Sequence, residues 1–200
     1  MVGLQKLMEI PIGKRSAFDR KPRDFYKTPD KAVLPLLPHL APRTRFYESC
    51  CGDGALIRAL ERRGHICKGA SDIQAPEEPA IVAGHPVAFS GHIQDATTLR
   101  LPSGMVDCFI TNPPFRKDIL FPLIAHLSAQ APTWLLLPAD FLHNIGSSPF
   151  LDYCVRIVSI GRVSWEENGV AGKDNHIWAL FDQERCGEPT EFYGRLKKGY

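Results

Sequence analysis

Residues 46–60 read FYESCCGDGALIRAL. An aromatic, strand-forming start runs into a turn with glycines at 52 and 54. A run follows in which Leu56, Ile57 and Leu60 share one helical face, and Gly64 stops it. Strand, glycine turn and helix in that order form the opening unit of an open α/β sheet. In such sheets ligands sit outside the carboxyl ends of the strands, near the switch in strand order. Gly52 and Gly54 permit a tight turn and a close backbone approach to a ligand, and the helix start adds free N–H groups. Glu48 ends the strand, and an acid there would repel a phosphate. With only two glycines in the turn, a cationic ligand fits better than a dinucleotide.

Outward from this unit, HICKGASD is a second strand ending at Asp72, where a carboxylate can accept hydrogen bonds from a ribose diol. AFSGHIQD is a possible third strand, which would place Asp95 where it can meet an adenine amino group. MVDCFITN is a strong strand, and ILFPLIAHLSAQ is a helix kinked or started by Pro122. TWLLLPAD is a continuous apolar strand of the kind buried on both faces. VRIVSIGRV and HIWALFDQ are joined by SWEENGVAGKDN without a helix, which suits an antiparallel pair at the sheet edge. Before the glycine turn, TPDKAVLPLLPHLA offers Thr28 as an N-cap and Pro29 as the first helical residue, with Pro35 and Pro38 shortening or kinking the helix. The alternation predicts a doubly wound α/β sheet, mostly parallel with an antiparallel edge strand.

A hydrophobic share of 44% and a charged share of 23% are those of an ordinary globular protein, and 200 residues suit a single domain. No apolar run approaches the roughly 18 residues of a membrane span. MVGLQKLMEIPIGKR lacks a signal-peptide layout, so a cytoplasmic location is expected. The six cysteines include an adjacent pair, Cys50 and Cys51, but no C-x-x-C, and the histidines are scattered. Neither a disulfide framework nor a metal site is expected. Net charge is only +2, yet Lys14, Arg15, Arg20, Lys21, Arg23 and Lys27 face only Asp19 and Asp24 along one stretch. Such a segment suits phosphate binding.

Residues 111–115, TNPPF, end the strand MVDCFI in an unusual way. Two consecutive prolines fix two φ angles and remove two backbone donors. The turn is therefore stiff, and it displays Asn112 and Phe115. Together with DFYKTP (24–29) and ESCCGDG (48–54), this stretch resembles the motifs of S-adenosylmethionine-dependent amino-methyltransferases that modify adenine in DNA, in their gamma-type order. The resemblance covers about residues 24–182. Protein glutamine and RNA methyltransferases use a similar catalytic motif, so an RNA adenine or a glutamine amide is the alternative target, and a non-catalytic subunit of a larger complex is another.

The resemblance implies a Rossmann-like methyltransferase sheet with S-adenosylmethionine as cofactor. Phe25, Tyr26, Thr28 and Pro29 would meet its methionine end. Glu48, Cys50, Gly52, Gly54, Asp72 and Asp95 would complete the cofactor site. Asn112, Pro113, Pro114 and Phe115 would carry catalysis. The chemistry of that turn is direct. An exocyclic amine is a weak nucleophile because its lone pair is delocalised into the ring, and attack on a sulfonium methyl puts positive charge on the nitrogen. The Asn112 side-chain oxygen and the Pro113 carbonyl each accept one N–H, and Phe115 stacks on the base. No strong base and no covalent intermediate are needed.

The expected organisation is a basic arm over 1–23, a catalytic domain over 24–185 and a tail over 186–200. Only 200 − 115 = 85 residues follow Phe115, too few for a dedicated target-reading domain. Specificity is therefore expected to be low, short or supplied by a partner, on DNA or alternatively RNA. Arg116, Lys117, Arg162 and Lys173 are further candidates for holding phosphates.

Overall fold

The structure, a computed structural model, describes residues 27–74, 81–82, 85–86, 93–165, 172 and 174–195. The basic arm, Phe25, Tyr26 and Lys173 lie outside the described residues. The strands are β1 (Arg45–Glu48), β2 (Ile66–Ala70), β3 (Ile81–Val82), β4 (His85–Pro86), β5 (Cys108–Thr111), β6 (Thr133–Pro138), β7 (Cys154–Arg162), β8 (Asn175–Phe181) and β9 (Glu191–Tyr193). Seven of them form one sheet in the order β2-β1-β5-β6-β8-β7-β9, and β3 with β4 make a separate small hairpin. β2, β1, β5 and β6 are mutually parallel, β8 runs antiparallel between β6 and β7, and β9 is parallel to β7. The strand order reverses between β1 and β5, so the carboxyl ends of these two strands, Glu48 and Thr111, flank the switch point.

Period-two alternation divides the side chains of the central strands between two cores. Phe46, Ile110, Trp134, Leu136, Trp178 and Leu180 face one side. There they meet Ala32 and Val33 of α1 (Asp30–Val33), Leu36, and Leu56, Ile57 and Leu60 of α2 (Ala55–Glu61). Tyr47, Phe109, Leu135, Leu137, Ile177, Ala179 and Phe181 face the other, against Leu120, Leu123, Ile124 and Leu127 of α3 (Lys117–Ser128). Those three leucines and one isoleucine recur at i, i+3, i+4 and i+7, the stripe an amphipathic helix buries. The indole Nε1 of buried Trp178 donates to the Ala32 carbonyl at 2.8 Å, fastening α1 to the middle of the sheet. Gly69 of β2 lies under the Tyr47 ring, where a Cβ would sit 2.7 Å from Cε2. A side chain there would displace the ring.

The possible strand AFSGHIQD lies mostly outside the described residues, and three other expectations change. A single parallel bridge, Asp72 to Ile93, stands where a third ladder was expected, and residues 87–92 lie outside the described residues. The helix after β5 begins at Lys117, with Pro122 inside it. Pro122 is tolerated on the solvent side, and the first turn is closed by the Arg116 carbonyl accepting from Ile119 and Leu120. Thr28 does not cap α1. Pro29 occupies the cap position, and α1 gives way after one turn to a 3-10 helix over Leu34–His39 that accommodates Pro35 and Pro38. Finally, the antiparallel pair β7–β8 lies toward one edge as expected, but β9, from the stretch expected as a tail, adds a strand that covers β7. Arg156 pairs with Glu191 and Thr190 Oγ1 donates to the Cys154 carbonyl at 2.6 Å, which holds β9 in place. Among the described residues no helix is long and apolar enough to cross a membrane.

Candidate cofactor and amine site

The loop after β1 folds against the loop after β2 by backbone bonds. Ser71 N–H donates to the Glu48 carbonyl at 2.9 Å, and Cys51 N–H donates to the Ser71 carbonyl at 3.0 Å. Gly52 and Gly54 have φ of 49° and 75°. This is the left-handed region, which costs an L-residue with a Cβ about 1–2 kcal/mol, so the glycines are required by the turn itself. The two carboxylates of the turn brace it. Asp72 Oδ2 accepts the Gly52 N–H at 2.9 Å and its Oδ1 accepts the Gln74 N–H at 3.2 Å. A carboxylate offers about four acceptor positions, so Asp72 keeps capacity for a hydroxyl. Asp53 Oδ1 accepts the Ala55 N–H at 3.1 Å, and Lys27 Nζ pairs with Asp53 Oδ2 at 3.1 Å.

Glu48 is 2% exposed, and its Oε2 has no hydrogen-bond partner among the described residues. Burial pushes its carboxyl well above the usual range, and Asp72 and Asp53 push the same way, against the Ile57 N–H and Arg58. A buried acid with one unpaired oxygen and two acidic neighbours has an energetic use for a cation. Cys50 is half-buried beside the hydroxyls of Thr111 and Ser49, and burial pushes its thiol up to about 12. Burial also raises Cys51. Neither is a thiolate at neutral pH, so neither serves as a nucleophile.

Across the switch point, Asn112 follows β5 directly and is half-buried, with Pro113 buried beside it. Asn112 Nδ2 donates to Thr28 Oγ1 at 3.2 Å, a contact between residues 84 apart in sequence. The hydroxyl expected to cap a helix instead reaches the Asn112 turn. Phe115 is half-buried, with its ring centroid 6.3 Å from that of His176. His176 in turn stands edge-on to Trp165 at 5.0 Å. His176 lies opposite Pro138, at the carboxyl edge of β6, so all three rings share the edge that carries Asn112. His176 Nδ1 is 3.1 Å from the Asp174 carbonyl, and a carbonyl only accepts, so Nδ1 is protonated. Burial lowers the His176 pKa, against the nearby Asp174, and this favours the neutral ring.

The structure therefore brings Thr28, Pro29, Glu48, Cys50, Gly52, Gly54 and Asp72 to the same edge as Asn112, Pro113, Pro114 and Phe115. Asp95 stands apart. It is exposed, follows the Asp72–Ile93 bridge by two residues, and accepts from the Thr97 N–H at 2.8 Å and the Thr97 hydroxyl at 2.7 Å. Of the phosphate candidates, Arg116 pairs with Asp118. Sequence reading missed Lys27 as a brace of the turn, and Trp165 and His176 as ring neighbours of Phe115. The only signal for the last two was their place on either side of a helix-free connection at the sheet edge.

No protein-family model matches the chain, and no curated protein matches it. Solved structures do. A Pyrococcus horikoshii protein assigned as an RNA methyltransferase is 16% identical with a TM-score of 0.55, over 89% of this chain and 97% of that one. The methyltransferase subunit of a type I restriction-modification system from Streptococcus thermophilus is 12% identical with a TM-score of 0.52. That likeness covers 88% of this chain and 49% of that one. A protein from Listeria monocytogenes, assigned as a class I S-adenosylmethionine-dependent methyltransferase, is 12% identical with a TM-score of 0.50, over 82% and 61% of the two chains. Likeness at these identities concerns architecture, and it agrees with the strand order. The chain has a Rossmann-like methyltransferase fold, mostly parallel with antiparallel strands toward one edge.

Proposed function

We propose that this chain transfers a methyl group from S-adenosylmethionine to the exocyclic amine of adenine in DNA. The observation that carries the reading is the Asn112–Phe115 turn at the end of β5, joined through Thr28 to the stretch that borders the glycine turn. The residues present fit the cofactor. The unpaired, buried Oε2 of Glu48 suits a cationic ligand, Asp72 suits a ribose, and the glycine turn admits close backbone approach. Thr28, Pro29, Cys50, Gly52 and Gly54 would complete its binding, with Phe25, Tyr26 and Asp95 as further contacts. When bound, the cofactor supplies an electrophilic methyl group.

The chain's own part is to hold the amine. An amide oxygen has two lone pairs, so Asn112 Oδ1 can accept one amine N–H, and the Pro113 carbonyl can accept the other. Both dipoles are fixed before reaction and oppose the positive charge that grows on the nitrogen, each worth on the order of 3 kcal/mol of barrier. Phe115 and Trp165 offer faces for the ring, and the methylated nitrogen gives its proton to solvent. Between Phe115 and Arg195 the described chain is used by the sheet and its short helices. We therefore assign it little sequence reading and leave specificity to a partner.

The likeness to a restriction-modification subunit supports DNA, and the likeness to an RNA methyltransferase keeps RNA as the second reading. The test is incubation of the protein and S-adenosylmethionine with unmethylated DNA, RNA and protein, followed by mass spectrometry. N6-methyladenine in DNA is the expected product. Methyl groups appearing only in RNA or on glutamine would replace the substrate, and none anywhere would remove the activity.

A further inference from the structure

β9 runs parallel to β7, so beyond Tyr193 the chain moves toward the edge that carries Phe115, His176 and Trp165. On that path Arg195 meets Gly161. Gly161 lies opposite His176 at an irregular point of β7, with φ of 77°. A Cβ built on it would sit 3.1 Å from Arg195 Cζ, Nε and Nη1 alike. The three equal distances place the face of the guanidinium on the glycine, whose left-handed φ is strained for a residue with a Cβ and whose bare surface lets the group sit close. Arg195 is exposed, and among the described residues it has no ion-pair partner. Arg45, Arg62, Arg63, Arg116, Arg156 and Arg185, by contrast, each pair with a carboxylate. Arg162, adjacent to Gly161, is likewise exposed and without a carboxylate among the described residues.

We propose that Arg195, seated on Gly161, and Arg162, the next residue of β7, hold phosphates of the strand whose base enters the amine site. This rests on the nucleic-acid reading above and adds the place where the backbone is gripped. The Phe115 and His176 centroids are 6.3 Å apart, and one strand spacing of about 4.8 Å leads on to Gly161. The grip therefore lies a few nucleotides of backbone from the reacting base. A planar guanidinium held flat keeps its edge donors pointing outward, the geometry that pairs with two phosphate oxygens.

The experiment is fluorescence anisotropy with an unmethylated single-stranded DNA, titrated at several salt concentrations, for the wild-type protein and for Arg195→Ala, Arg195→Lys, Arg162→Ala and Gly161→Ala. Each lost phosphate contact should lower the slope of log K against log salt by about 0.7 on a single strand. Arg195→Ala should weaken binding about fivefold at physiological salt, whatever the base sequence. Arg195→Lys should keep the slope but not the full affinity, and Gly161→Ala should weaken binding with Arg195 still present. Unchanged slope and affinity in both alanine variants at 195 and 162 would overturn the proposal. So would a loss of thermal stability in Arg195→Ala with binding intact, which would make the contact a packing device for β9. The two readings fail separately. DNA binding that depends on Arg195 without any methyl transfer removes the enzyme and leaves the grip. Methylated DNA with a slope indifferent to both arginines does the reverse.

Discussion

The two sides of the switch point are built from different materials. The side formed by β1 and β2 gathers carboxylates: Glu48 buried, Asp72 and Asp53 bracing a turn of two left-handed glycines. The side formed by β5, β6 and β8 gathers neutral groups: an amide, two prolines and the rings of Phe115, His176 and Trp165. The first side has a buried carboxyl with one unpaired oxygen and therefore an energetic use for a cation. The second has stiff dipoles and flat faces, which suit an amine on a planar group. A methyl transfer from a sulfonium to an amine needs both, and the sheet keeps them one strand apart.

The sharpest way to break this division is Asn112→Ala. If Asn112 acts on the amine alone, turnover should fall on the order of a hundredfold or more, from the loss of about 3 kcal/mol of preorganised stabilisation, while calorimetry shows cofactor affinity within a few-fold. A large loss of cofactor affinity would mean that the two sides are not separate. Phe115→Ala should come next, at about 1–3 kcal/mol for one stacked base, read as weaker binding of the polymer with cofactor affinity unchanged. Trp165→Ala tests the same face from the far side of His176.

On the charged side, Glu48 gives a pH dependence with a definite sign. Its folded-state pKa is raised, so between the ordinary glutamate value and that raised value the folded protein holds a proton that the unfolded chain has lost. Stability of the free protein therefore declines as pH rises above about 4.3. A bound cation favours the ionised carboxyl, so binding should expel that proton and tighten as pH rises, by at most about tenfold per pH unit. Calorimetry in two buffers of different ionisation enthalpy measures the released proton directly. Glu48→Gln should abolish the release and flatten both profiles. Release that persists in this variant would assign the proton to another group.

Much of this could be read in the sequence where the demand on residue type is local. A left-handed φ demands glycine, and Gly52 and Gly54 announce it. A rigid displayed turn demands imino residues, and Pro113 and Pro114 announce that. The buried strands were legible because alternate residues feed two cores. What escaped depends on register or long range. β9 has three exposed residues and so carries no hydrophobic pattern. The Phe115–His176–Trp165 row exists only once β8 pairs with β6 and β7 in their observed registers. Thr28 satisfies every local rule for an N-cap, yet its hydroxyl meets Asn112 across the fold. Pro122 could kink or start a helix by local rules, and its solvent-facing place inside one could not be known before the helix was placed.

The smallest expected effect concerns the link between the two sides. Asp30, two residues after Thr28, pairs with Arg62 and Arg63 at the end of α2, tying the Thr28 stretch to the helix that leaves the glycine turn. The Arg63 guanidinium above all holds the Asp30 carboxyl down to about 2. This lowered value means that the tie stabilises the fold fully above the ordinary aspartate value and is lost as pH falls toward 2. The side chain is 39% exposed, so solvent and salt screen the pair, and Asp30→Asn should cost no more than about 1 kcal/mol near neutral pH. The thermal midpoint should fall slightly, less so at high salt. Because the tie also carries Thr28, which is placed in the cofactor site and meets Asn112, turnover and cofactor affinity should both fall slightly. A variant equal to the wild type in turnover would show that Thr28 holds its place against Asn112 without α2, and that the two sides meet only through the sheet.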